Sequence, residues 1–248
     1  AVGDFRFKPI SARAGVWAEP SMLEKATKEF ADTEKMIQVA EALYGEYRWE
    51  RYDLLVLPAS FPYGGMENPR LSFITPTVIT GDKSLVSLIA HELAHSWSGN
   101  LVTNASWKDF WLNEGFTSYV ENRIVEAVFG AEQAAMENVV AQTGLRNELA
   151  ALKPAQQVLA LAPFPGRDPE ESLTDVAYIK GQWFLQDLER RFGRDVFDPF
   201  LRRWFDEHAF KSVTTDDFLA FLRRELLAKQ PGKLSEAELA AWIAGPGI

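Results

Sequence analysis

Two histidines and a glutamate in one short string, His91-Glu92-Leu93-Ala94-His95, are the residues best suited to chemistry. A helix advances about 100° per residue, which puts His91 and His95 about 40° apart on one face, a turn apart, with Glu92 about 60° beyond His95. Two imidazoles so arranged can share one metal ion while the carboxylate leans over it. The chain has no cysteine, so any bound metal must be held by His, Asp or Glu.

A hydrolytic zinc site takes three protein ligands and keeps one position open. Asn113-Glu114-Gly115-Phe116-Thr117 offers the third: 18 residues separate His95 from Glu114, which opens the next strongly apolar helix. The string alone leaves a structural helix open. Against that, two of the 3 histidines occupy it, behind the apolar run Leu85 to Ala90, where imidazoles and a carboxylate without partners would be costly. Glu92 would then take the proton of an attacking water and pass it to the departing amine. His208, the remaining histidine, sits among charged residues and is expected at the surface.

These side chains need elements to position them. Residues 1 to 20 contain strand-like pieces broken by Pro9, Gly15 and Pro20, and Ser21 to Tyr44 reads as one amphipathic helix stopped by Gly45. Tyr52 to Pro58 is a short buried strand. Pro62 to Pro69 carries too many breakers for a regular element, and Leu71 to Thr80 is again strand-like. Helices are expected near 84–98, 114–129, 131–149, 175–192, 195–208, 215–228 and 235–243. Between them, residues 150–174, with Pro154, Pro163, Pro165, Gly166 and Pro169, read as loop. The fold class is therefore α+β and mainly helical, one domain over 1–248 with a mixed lobe at 1–83 and a helical lobe at 84–248.

Composition narrows the partners. Lys plus Arg number 26 against 35 Asp plus Glu, a net charge of −9, which disfavours nucleic acid because that binding rests on clustered cations. No apolar run is long enough to span a membrane. The first residues, Ala1-Val2-Gly3, lack an initiator Met and leave room for a removed leader or an upstream domain.

Taken together, Gly64-Gly65-Met66-Glu67-Asn68, the histidine string, Glu114 and Tyr178 resemble the gluzincin aminopeptidases of peptidase family M-1. Phe61 to Pro69, Gly81 to Ser84, His95 to Asn104 and Trp111 to Gly115 are most similar to the leukotriene A-4 hydrolase and aminopeptidase B branch. The resemblance implies a thermolysin-like catalytic domain with one zinc ion on His91, His95 and Glu114, acting on peptides with a free N-terminus. It also implies a β-rich domain before this one and a helical domain after it, both missing here, and a cytoplasmic location, or a periplasmic or secreted one if a leader was removed.

Residue by residue, the resemblance implies that Glu67 binds the substrate's α-ammonium group. Gly64, Gly65, Met66 and Asn68 would line the peptide, Tyr178 would donate to the developing oxyanion, and Glu121 would orient a zinc-bound histidine. Trp97, Trp107, Trp111 and Phe116 are expected as wall and core. Some relatives also open a fatty-acid epoxide with a Tyr and an Asp; Leu173 and Glu170 stand at those places, which speaks against efficient epoxide opening. The competing readings are an endopeptidase of thermolysin type, which would not select a terminus, and a catalytically silent peptide-binding domain.

Overall fold

The computed structural model describes residues 1–162 and 173–248. Expectations at Pro163, Pro165, Gly166, Pro169 and Glu170 lie outside the described residues. The chain divides into two compact units. The first comprises Ala1–Ser96 and Val120–Ala131, the second Trp97–Tyr119 and Glu132–Ile248.

The first unit is built on a five-stranded sheet. Strands β1 (Arg6–Pro9), β2 (Ala14–Ala18), β3 (Tyr52–Val56), β4 (Gly65–Met66) and β5 (Leu71–Ile74) lie in the order β1-β2-β3-β5-β4. The central β3 pairs parallel with both β2 and β5, while the outer pairs are antiparallel. All five residues of β3 are buried, as a central parallel strand requires. The strand-like reading of Leu71 to Thr80 ends early, at Ile74. Pro76 has no N–H to give a ladder, and Pro76–Val78 instead forms a 3-10 turn on Thr75.

Two expectations in this unit need correction. The single helix at 21–44 is two, α1 (Pro20–Glu29) and α2 (Thr33–Tyr44). Between them both the N–H and the hydroxyl of buried Thr33 bond to Phe30 O, 3.1 and 2.7 Å, a local closure that competes with the helical ladder. The breaker-rich segment at 62–69 contains β4, with Gly65 opposite Ile74 and Met66 opposite Phe73. Thr75 N–H donates to Gly64 O at 2.8 Å and closes that hairpin. The unit is completed by α3 (Ser87–Ala94) and by residues 120–129 of α4 (Trp111–Phe129).

Among the described residues, the regular structure of the second unit is helical apart from β6 (Val102–Asn104) and β7 (Lys211–Val213), a short parallel pair the sequence did not announce. It holds the start of α4, then α5 (Ala131–Ala151, its first residue in the other unit), α6 (Gly181–Phe192), α7 (Arg194–Glu207), α8 (Thr215–Leu222) and α9 (Glu236–Ala244). Its core is aromatic: Phe116 meets Phe218 edge-on at 5.1 Å and Trp111 meets Phe218 at 5.6 Å, arrangements that suit the ring quadrupole. Residues 111–120 of α4 are all buried, polar Asn113, Glu114, Thr117 and Ser118 among them, so this part of the helix has no solvent-facing stripe. No described helix is long and apolar enough to cross a membrane.

Candidate metal centre

Helix α3 ends at Ala94, and His95 caps it with φ −57° and ψ −19°. Helical geometry thus continues one residue further, and the two imidazoles stand edge to face, centroids 4.8 Å apart. The ligand atoms of His91, His95 and Glu114 all lie within 4.8 Å of one another. His95 is 1% and Glu114 5% exposed. A carboxylate buried to that degree is costly unless it meets a cation, and two imidazoles with one carboxylate form a donor set suited to zinc. The residues fit the ion.

Helix α4 contributes twice. Glu114 and Glu121 are seven residues apart, two turns along and about 20° off register, so they share a face. Glu121 Oε2 lies 2.9 Å from His91 Nδ1. A carboxylate only accepts, so Nδ1 carries the hydrogen and Nε2 keeps its lone pair for a metal.

Glu92 is 4% exposed and lies under β4. A Cβ built on Gly65 would overlap the Glu92 carboxylate, so only glycine lets the strand pass this close. One ligand atom each from Glu67, Glu92 and His95 also lies within a common 4.8 Å. Glu67 and Asn68 are half-buried and Met66 is exposed. Beneath the sheet the phenol of Tyr52 shares a 3.0 Å hydrogen bond with Ser72 Oγ, and its pKa is raised by burial, the Glu92 charge adding to the effect.

Tyr178 stands on a π-helical turn, Val176–Lys180, that leads into α6, and its ring meets Phe110 edge-on at 6.0 Å. Leu173 is half-buried and brings no phenol. Trp97, Trp111 and Phe116 are core, but Trp107 is 47% exposed. His208 is not a plain surface residue. Its ring lies 4.0 Å from that of Trp204, and Nδ1 is 2.9 Å from Trp204 O.

Sequence reasoning missed two contacts around the site. One is the overlap of Gly65 with Glu92. The other is a crossing in the second unit, where a Cβ on Gly115 would lie 2.8 Å from both Ala177 O and Gly181 Cα. Neither has a signal in residue spacing, because each depends on where another element lies.

Comparison with known proteins gives one family and close relatives. Residues 28–237 match the model described as Peptidase family M1 domain. The chain is 43% identical to leucine aminopeptidase 2-1 of Meyerozyma guilliermondii over 100% of its own length and 41% of that protein. It is 41% identical to aminopeptidase B of Mus musculus, over 100% of itself and 39% of that protein. A solved structure of yeast leukotriene A-4 hydrolase in complex with bestatin superposes with a TM-score of 0.95 at 41% identity, covering 99% of this chain and 40% of that one. The chain therefore spans about 40% of the length of these relatives.

Proposed function

The chain belongs to peptidase family M1, and from that premise we propose that it is the catalytic part of a zinc aminopeptidase that removes the N-terminal residue of peptides. His91, His95 and Glu114 would hold one zinc ion. When bound, zinc supplies Lewis acidity, polarising the scissile carbonyl and acidifying water. The remaining work falls to the chain itself. Glu92 takes the proton of the attacking water and delivers it to the departing amine. Tyr178 directs its phenol O–H at the oxyanion as charge develops there, a contribution of about 3 kcal/mol where such donors have been removed.

The observation that carries the choice of an aminopeptidase is the placement of Glu67. Its carboxylate shares a common 4.8 Å neighbourhood with Glu92 and His95, so it can pair with the α-ammonium of a substrate whose first peptide bond lies at the base. An internal peptide bond has no charge to offer there, and the half-buried Glu67 carboxylate, once a substrate covers it, is disfavoured against an amide. Strand β4 is the edge of its sheet, and its outer side can bind extended peptide backbone as an added strand. Substrates are thus peptides with a free N-terminus. Leu173, at the place where epoxide-opening relatives carry a tyrosine, speaks against efficient opening of a fatty-acid epoxide.

The test pairs free aminoacyl arylamides with their N-acetylated counterparts. Cleavage of the free forms alone supports the aminopeptidase. Equal cleavage of both identifies an endopeptidase, and zinc binding without turnover of either identifies a silent domain.

A further inference from the structure

Lys180 is 1% exposed, an unusual place for an ammonium group. Its Nζ donates to two main-chain carbonyls, Gln157 O at 2.9 Å and Gly245 O at 2.6 Å. Among the described residues no carboxylate forms an ion pair with it. Burial alone draws its pKa down to about 8. An apolar side chain of the same length would avoid that desolvation, so stability does not account for a lysine here.

The geometry around it does. Lys180 is the last residue of the π-helical turn Val176–Lys180, which carries Tyr178. The carbonyls it grips are themselves fixed. Gln157 Nε2 donates to Leu149 O and Leu152 O at the end of α5, and Gly245 ends α9. Leu159 N–H and Ala160 N–H both donate to Ile243 O, joining those two segments. One residue further along, Gly181 lies flush on the Gly115 backbone. A π turn holds one residue more than an α turn and is rare, occurring mostly as a single turn and often at functional sites. Relaxed to α geometry, it would rotate the residues before Lys180 by about 100° relative to α6.

We propose that Lys180 is a positioning residue: by hooking the carbonyls of Gln157 and Gly245 it holds the π-helical turn open and so aims the Tyr178 phenol. The proposal rests on the assignment of Tyr178 as oxyanion donor, and the test separates the two. Lys180→Met, Tyr178→Phe and the double variant are compared for kcat and KM. In parallel, 3-fluorotyrosine at position 178 gives a 19F signal that is read in metal-free protein, independent of turnover. Lys180→Met is expected to lower kcat about tenfold or more with KM little changed, to have no further effect in the Tyr178→Phe background, and to shift the 19F resonance. Lys180→Gln, which keeps one amide donor, recovers part of kcat and serves as the readout should the Met variant not fold.

An unchanged kcat, an equal loss in both backgrounds, or an unmoved 19F signal overturns the role of Lys180. Tyr178→Phe with undiminished kcat overturns the oxyanion assignment instead, and the 19F arm then decides alone whether Lys180 sets the tyrosine.

Discussion

Replacing Glu92 by Gln keeps the side chain's shape and removes its basicity. Zinc content should stay intact because His91, His95 and Glu114 are untouched, while kcat falls by about 10²–10⁴-fold, the usual worth of a general base. Metal analysis alongside turnover decides it, and a fully active variant rejects the role. Glu121→Ala should act differently, weakening zinc about 10–100-fold by releasing the ring of His91, as a competition with a chelator would register. Glu67→Gln should cost about 10–100-fold in kcat/KM on free peptides, the range for losing one charge-assisted bond. Part of this was legible in the sequence: helical arithmetic puts His91 and His95 on one face, and Glu114 opens the next apolar segment, whereas the roles of Glu121 and Glu67 came only through the resemblance to family M-1. Lys180 was not legible. In a string it is one more polar residue of an amphipathic helix, and only its depth and its two carbonyl partners distinguish it.

Elements meet at this centre through glycine. Gly181→Ala would drive a methyl into the backbone of Gly115, 2.8 Å from its Cα, and neither side can yield as a flexible side chain would. A loss of about 1–3 kcal/mol in a urea titration is expected, typical of overpacking; a stability within about 0.5 kcal/mol of the parent would show that α4 and α6 can part freely. Most helices were readable from their apolar period, but the one expected at 21–44 breaks into α1 and α2, and the one expected at 215–228 ends as α8 at Leu222, with a π turn following at Arg223–Leu227. What escaped was whatever depends on non-local partners. The two-residue β4 is a strand only because β5 lies beside it, and β6 with β7 pairs residues 109 positions apart. The π turn at 176–180 breaks no periodicity visible in the sequence, so 175–192 read as one uninterrupted α-helix.

At the scale of the whole chain, the distribution of ionisable groups predicts how stability follows pH. Hydrogen bonds and ion pairs hold Asp82, Glu225 and Glu238 down to about 2, and Arg13 holds Glu41 low. Folded-state values below the unfolded ones mean that this stability is present above about pH 4.5 and is lost as pH falls toward 2. On the alkaline side burial raises Tyr47 and Tyr52. Their contribution is intact below pH 10 and declines above it, since the unfolded phenols ionise first. Lys180 runs against both trends. Its folded value of about 8 lies below the ordinary 10.5, so the unfolded chain binds more protons between those limits and stability gains as pH rises through them. Unfolding midpoints of the parent chain and Lys180→Met, measured without metal so that ligand ionisation does not intervene, should therefore change their separation between pH 8 and 10.5, the parent gaining on the variant as pH rises. A constant gap across that window would mean that the ammonium is not desolvated, and the depth of Lys180 would then have no electrostatic consequence.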